Sequence, residues 1–394
     1  MTYQKAFDSS EYKTRLFKVK QRMNEKGFDM LICQDPANMC WLTGFDGWSF
    51  YTPQAVVVHL SEDWPIWFGR EQDAKSATIT TDIPESNIVP FSEPLVHHET
   101  LHPFDELCDY IKLRKWEKTR IGVDFDAHYF TARAHKHLYT GLPNAKISDN
   151  KELVNWARLI KSPAELKYMR EAGVICTNTM LQALNKIAPG VPQYEIIGDI
   201  YKNQINGVDG KYGDYTGLCP LIQVGESTST PHLTWSDEPL PKEGLVVLEI
   251  GAARRHYHAP LTRTAYIGNI PKEVSSLSST IIEAGNWAFE VAKPGTTCAV
   301  VESIWQKEIN KGGYEKKSRV GYSIGLNFPP DWGERTASLR VGDQTILEEG
   351  MCFHFQSGIW LNKLGAAISE SIVIGKNGGE RLCDVDRKLF HVVV

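Results

Sequence analysis

Arg158-Leu159-Ile160-Lys161-Ser162-Pro163-Ala164-Glu165 decides how the chain is divided. Ser162 is a good helix N-cap, Pro163 suits the first helical position, and Glu165, three residues after the cap, completes a capping box. A long helix therefore begins here. Leu166, Met169, Gly173, Cys176, Met180 and Leu184 form its apolar stripe, and Pro189-Gly190 stops it. So strong a helix start, after an alternating pattern about one domain long, marks a boundary between domains 1–158 and 159–394.

Upstream, Ser9 and Ser10 cap a helix carrying Tyr12, Leu16, Val19 and Met23 on one face, and Gly27 stands where a helix end takes positive φ. Strand-like runs follow at 30–33, 55–60 and 66–68, then a helix over 103–113, a strand over 121–125 and a helix over 129–138. This alternation is an α/β layer. Downstream, the pattern predicts a helix over 194–205, strands over 245–250 and 264–267, helices over 272–292 and 299–309, and strands over 351–355 and 367–374. Helix pairs followed by strand pairs, twice over, make this half α+β.

Across 394 residues, 42% hydrophobic and 23% charged composition excludes a disordered or collagen-like chain. The 43 Lys and Arg against 48 Asp and Glu leave a net charge of −5 with no concentrated basic run, which argues against nucleic acid as a partner. No apolar run approaches the ~18 residues of a membrane span. The start at Met1 passes straight into polar sequence without an apolar signal core, so the expectation is a cytoplasmic protein with no membrane partner. The eight cysteines are scattered, form no CxxC pair, and read as reduced, mostly buried thiols.

The segments that carry chemistry all lie in the second half. They are Ser229-Thr230-Pro231-His232-Leu233, Leu248-Glu249-Ile250-Gly251-Ala252, the run from His256 to Thr264, Gly321-Tyr322-Ser323-Ile324-Gly325, Phe353-His354-Phe355-Gln356-Ser357-Gly358, and Ile368-Ser369-Glu370-Ser371-Ile372. In order and spacing, together with Lys161-Ser162-Pro163, they resemble the signature segments of the pita-bread superfamily of methionine aminopeptidases, proline peptidases and creatinases. The resemblance implies an α+β chain: a smaller N-terminal α/β domain of creatinase type followed by a pita-bread catalytic domain.

The metallopeptidase branch of that superfamily holds two divalent cations with Asp, Asp, His, Glu and Glu, and the matching positions here are Glu249, Pro260, Tyr322, Gln356 and Glu370. Proline offers no donor, a phenol and an amide are poor partners for hard cations, and two carboxylates remain. No metal or other cofactor is expected. Two carboxylates in one pocket repel unless a cation lies between them, so the substrate should bring the charge. A planar amidinium suits the task, because it gives two parallel charge-assisted hydrogen bonds.

Trp41-Leu42-Thr43-Gly44-Phe45-Asp46-Gly47-Trp48-Ser49-Phe50-Tyr51, Tyr257-His258-Ala259-Pro260 and Pro329-Pro330-Asp331-Trp332-Gly333-Glu334-Arg335-Thr336 are further similar to bacterial ectoine hydrolases, a likeness that runs essentially end to end. That family opens the cyclic amidine ectoine to an N-acetylated 2,4-diaminobutyrate. The resemblance implies that Glu249 attacks the amidinium carbon or activates a water for it, that Glu370 orients the ring N–H groups, and that His232 moves protons. Arg335 would grip the substrate carboxylate. Trp41, Trp48, Phe50 and Tyr51 would offer aromatic faces to the cation, reaching the neighbouring subunit of a homodimer. Tyr322, His258 and Asp331 would complete the substrate contacts, and a downstream deacetylase is a candidate partner.

Each residue also has a plainer reading. Glu249 and Glu370 could form a surface pair, His232 could be an exposed histidine, the aromatics could be packing, and Arg335 could join a weak surface ion pair. His256 and His258 read as structural hydrogen-bonding residues, and His135 and His137 as surface. Two other functions stay open: a creatinase-like amidinohydrolase acting on an open-chain guanidino acid, and a pita-bread scaffold that only binds a partner.

Overall fold

The computed structural model describes residues 3–394; Met1 and Thr2, the first positions of the polar start read above, lie outside the described residues. The chain divides between Arg158 and Leu159 into two compact units. The first contains α1 (Ser9–Lys26), β1 (Met30–Cys33), α2 (Pro36–Thr43), β2 (Ala55–His59), β3 (Ile66–Arg70) and α3 (Ala74–Thr80). It continues through β4 (Ile88–Phe91), α4 (Pro103–Leu113), β5 (Arg120–Val123), α5 (Ala132–Gly141), β6 (Lys146–Asp149) and α6 (Leu153–Ala157). Its six strands form one mixed sheet in the order β4-β3-β2-β1-β5-β6. Apolar residues fill both sheet faces: Leu31 and Val56 meet Val19 and Met23 of α1 on one side, and Ile32 and Val57 meet Leu107 and Ile111 of α4 on the other.

Helices α2, α3 and α6 and strands β4 and β6 go beyond the sequence reading, and α5 is shifted from it. Helix α2 was hidden inside an aromatic stretch; the Asp35 carboxylate caps it by accepting from Ala37 N at 2.8 Å, and Gly44 ends it at φ 81°. Helix α5 starts later than 129, because Thr131 caps it by accepting from Ala134 N at 3.1 Å.

The second unit opens with α7 (Pro163–Lys186) and α8 (Gln193–Asn206), then β7 (Leu221–Val224), β8 (Gly244–Arg254) and β9 (Tyr257–Ile267). The predicted capping box of α7 is present in both directions, Glu165 N to Ser162 Oγ and Ser162 N to Glu165 Oε2. Next come α9 (Lys272–Val291), α10 (Cys298–Lys311), β10 (Gly321–Ile324), β11 (Gly333–Leu339) and β12 (Cys352–Phe355). The chain ends with β13 (Gly358–Trp360), β14 (Gly365–Ala367), β15 (Glu370–Gly375), β16 (Gly378–Arg381) and β17 (Phe390–Val392). Two sheets form the framework, β17-β9-β8-β7 and β11-β10-β12-β15-β16.

Strand β9 runs through Pro260, Thr262 and Arg263, polar positions that hide it from an apolar-run reading, yet every residue pairs with β8. On one face of this hairpin, Leu248, Ile250, Leu261 and Ala265 pack with Cys176 and Met180 of α7 and Ile196 and Ile200 of α8. Period-two alternation therefore turns Glu249 and its cross-strand partner Thr262 to the other face. All eight cysteines are free thiols, and all but Cys219 are buried. Among the described residues, no helix is long and apolar enough to cross a membrane.

Candidate active site

Glu249 lies mid-strand on β8, 7% exposed. The Gln356 Nε2 donates to its Oε2 at 3.0 Å, and the same amide accepts from Thr262 Oγ1 at 3.3 Å, which fixes the amide's polarity with its N–H toward the carboxylate. Burial pushes the Glu249 carboxyl up to about 7, against smaller opposing effects of the Gln356 hydrogen bond and the Lys316 charge. Lys316, on the loop between α10 and β10, donates to Gln356 O at 3.0 Å. Burial pulls its ammonium down to about 7, with the Glu249 charge acting the other way.

Beside this pair runs a chain of hydrogen bonds. Trp332 Nε1 donates to Tyr322 Oη at 2.8 Å, which leaves the phenolic hydrogen for His354 Nδ1 at 2.9 Å. His354 Nε2 then carries its own hydrogen toward Ser369 Oγ at 2.7 Å, an oxygen that also accepts from Thr262 N at 2.7 Å. The imidazole is neutral, since burial pulls it down to about 3, with Lys316 and Arg319 adding to the shift. Burial, and then the Glu249 charge, push the Tyr322 phenol above its usual range. Gly251 makes this arrangement possible: a Cβ there would lie 2.9 Å from the Trp332 ring.

The expected site residues separate on this framework. Glu370 does not face Glu249. Its neighbours Ser369 and Ser371 point toward Thr262 and toward Pro260 O, so strand alternation sends Glu370 the opposite way. There, fully buried, it accepts from Arg263 Nη2 at 2.8 Å and Arg381 Nε at 3.1 Å, with Arg387 Nε at 3.7 Å. A carboxylate held by three arginines is not available to orient substrate N–H groups. Ser369 occupies the side that Glu370 was expected to fill.

His232 is exposed on the segment before β8, and among the described residues it makes no hydrogen bond to Glu249, Gln356 or Lys316. Trp41 is 2% exposed inside the first unit, where Arg15 donates to its carbonyl at 3.0 Å and lies 5.1 Å over its ring, so it presents no face to a ligand. Phe50 is buried between Trp48 and Tyr129, whereas Trp48 and Tyr51 are 55% and 59% exposed. His258 is fully buried on β9, its Nε2 accepting from Gly217 N at 2.8 Å, and burial pulls it down to about 3. Asp331 Oδ1 accepts from Gly333 N at 3.0 Å and shapes the turn that delivers Trp332. Arg335 is half-buried at φ 56° in an irregular stretch of β11, between Glu334, ion-paired with Lys161 at 2.7 Å, and Thr336, whose hydroxyl meets Ser323.

Lys316, His354 and Ser369 were missing from the expected set. His354 and Ser369 both fall within signature segments, whereas Lys316 sits in a Glu315-Lys316-Lys317 run that reads as solvated charge.

Two family profiles match most of the chain: Creatinase/Prolidase N-terminal domain over residues 15–160 and Metallopeptidase family M24 over 167–376. The chain belongs to metallopeptidase family M24. Within the family it is 41% identical to the ectoine hydrolase of Halomonas elongata, over 98% of each chain. It is 39% identical to an uncharacterized hydrolase/peptidase, y4tM, of Sinorhizobium fredii, over 97% of this chain and 98% of that one. Among solved structures, prolidase from Thermococcus sibiricus superposes with a TM-score of 0.84 at 21% identity, over 98% of this chain and 100% of that one. Dipeptidase PepE from Mycobacterium ulcerans gives 0.83 at 20%, with the same coverage. These superpositions show the fold: a creatinase-type N-terminal domain and the M24 pita-bread domain.

Family M24 implies metal ions, and the residues present do not fit them. Pro260 has no donor, Tyr322 Oη is engaged by Trp332 and His354, and Gln356 turns an N–H rather than an oxygen to Glu249. Glu370 is committed to arginines. Among the described residues, no three His, Cys, Asp or Glu side chains converge as a metal group would need.

Proposed function

We propose that this M24 hydrolase opens the cyclic amidine ring of ectoine to N-acetyl-2,4-diaminobutyrate, without a metal ion, in compatible-solute catabolism. The observation that carries the reading is Glu249: a buried carboxylate facing an amide N–H and an ammonium where the family's metal ligands would stand. The 41% identity to the Halomonas elongata ectoine hydrolase supports it independently.

The chemistry follows from that carboxyl. Ectoine's amidinium carbon is electrophilic but resonance-stabilised, so it needs a nucleophile and a proton for the departing nitrogen. Glu249 supplies the nucleophile, either its own oxygen or that of a water it deprotonates. In the water route, Glu249 takes one proton as hydroxide adds to the amidinium carbon, giving a neutral tetrahedral intermediate. It returns that proton to the leaving ring nitrogen as the C–N bond breaks. The hydroxyl proton then passes to the freed amine, leaving an acetamide and an ammonium. A group held near 7 is matched to taking and returning a proton at neutral pH. Tyr322, held by Trp332 and His354, borders the site as a fixed dipole, and Arg335 is the candidate for the substrate carboxylate.

The protein acts as a homodimer in the cytoplasm on this reading, with exposed Trp48 and Tyr51 as the contacts offered to a second copy. Incubation of the purified protein with ectoine, followed by proton NMR, tests the proposal. Loss of the ring methyl signal and growth of an acetamide methyl supports it; an unchanged spectrum, or turnover of creatine instead, contradicts it.

A further inference from the structure

Lys316 stands apart from its neighbours. Glu315, Lys317, Ser318 and Arg319 are exposed, as a charged loop should be, while Lys316 turns inward. Its Nζ lies 5.2 Å from the Trp305 ring centroid and 5.0 Å from that of Trp360, and donates to Gln356 O at 3.0 Å. Two indole faces and a carbonyl are a cage for a cation. Two of the three walls are themselves fixed: Trp305 Nε1 donates to Ser357 Oγ at 2.7 Å, and Gln356 N donates to Val320 O at 2.6 Å. The charged groups acting on the ammonium are Glu249, which attracts it, and Arg319, which repels it and lies over the Tyr322 ring at 4.3 Å. From its outer side the cage borders an open groove of about 800 Å³ lined by Glu302, Gln306 and Tyr314, a path for small solutes.

We propose that Lys316 is a positioning residue of the active site: seated between Trp305 and Trp360, its ammonium is a built-in counter-ion that holds the Gln356–Glu249 pair in its reactive arrangement. Lys316 grips the backbone of Gln356 while the side chain of Gln356 grips Glu249, so the ammonium acts through the amide and through its own charge. The inference rests on the amidine-hydrolase reading for its kinetic arm and on the cage geometry alone for its binding arm.

Lys316→Ala empties the seat and leaves it open to an external cation, whereas Lys316→Met fills it with an uncharged chain. With ectoine as substrate, kcat/KM of Lys316→Ala should fall about tenfold to a hundredfold, the range for losing one charge-assisted contact. Methylammonium chloride should restore it saturably in Lys316→Ala but not in Lys316→Met. Calorimetry without ectoine should show methylammonium binding to Lys316→Ala and none to the wild type. If Lys316→Met retains wild-type kcat/KM, or if Lys316→Ala binds no methylammonium, the proposal is overturned. A wild type that leaves ectoine untouched while Lys316→Ala still binds methylammonium would sink the ectoine reading and leave the seat standing. Thermal unfolding of both variants separates a folding defect from a lost seat, because Lys316→Met retains the aliphatic stem that packs on the indoles.

Discussion

Glu249 and Glu370 are buried carboxylates in the same domain, and their surroundings differ in balance. Glu249 meets one amide N–H and one lysine charge, so desolvation dominates and the carboxyl rises to about 7. Glu370 meets three guanidinium groups, two of them as hydrogen-bond donors. Glu249 is left able to exchange a proton near neutral pH, whereas Glu370 ties β15 to Arg263 of β9 and Arg381 of β16. Residue type does not separate the two, but strand parity does. Glu249 points away from the α7 and α8 core, whereas Glu370 reaches Arg263, whose position on β9 shares the parity of Leu261 and Ala265.

The comparison breaks first at turnover. Glu249→Gln should lower kcat for ectoine by about 10²–10⁴-fold, the range for removing a positioned acid–base group, while calorimetry still detects ectoine binding. Near-normal turnover in that variant would transfer the role elsewhere. The reverse pattern is expected at Glu370. Glu370→Gln leaves three arginines without their counter-charge and should cost about 3–5 kcal/mol in urea unfolding, with kcat per folded molecule retained. A fully stable Glu370→Gln that lacks turnover would restore Glu370 to the substrate.

Histidines sharpen the contrast further. His354→Phe keeps the ring volume but cuts the Tyr322–His354–Ser369 chain, and kcat should drop about tenfold to a hundredfold, as for two lost buried hydrogen bonds. His232→Ala, a change at an exposed position, should stay within about twofold of wild type. The smallest effect is a pH shift. Because Glu249 is raised to about 7, the free protein loses its carboxylate as pH falls through that value, and kcat/KM should decline on the acid side there. A bound amidinium favours the carboxylate, so the acid limb of kcat should lie at lower pH than that of kcat/KM.

The start of α7 was legible because the Ser162-Pro163-Glu165 signals are local and agree with one another. Strand β9 was legible only in its last third, since Pro260, Thr262 and Arg263 break the apolar run while tertiary pairing with β8 continues through them. The site divides in the same way. Glu249 could be picked out by its motif, but Glu370 was misplaced by one residue of strand parity, and a one-residue offset moves a side chain to the opposite face. The predicted strand over 367–374 is in fact broken between β14 and β15, where Ser369 N donates to Thr262 O and Arg263 holds Ser369 O, and sequence periodicity does not carry that break. Lys316 was invisible because its inward turn depends on two tryptophans from separate elements, Trp305 on α10 and Trp360 on β13.

The most direct measurement is the rate of ectoine turnover by protein stripped with a strong chelator, set against its metal content by elemental analysis. An undiminished rate in metal-free protein, unaffected by added zinc, manganese or cobalt, is the predicted result. Activity that disappears with the metal and returns with one of those ions in stoichiometric amount would contradict an active site built on organic cations.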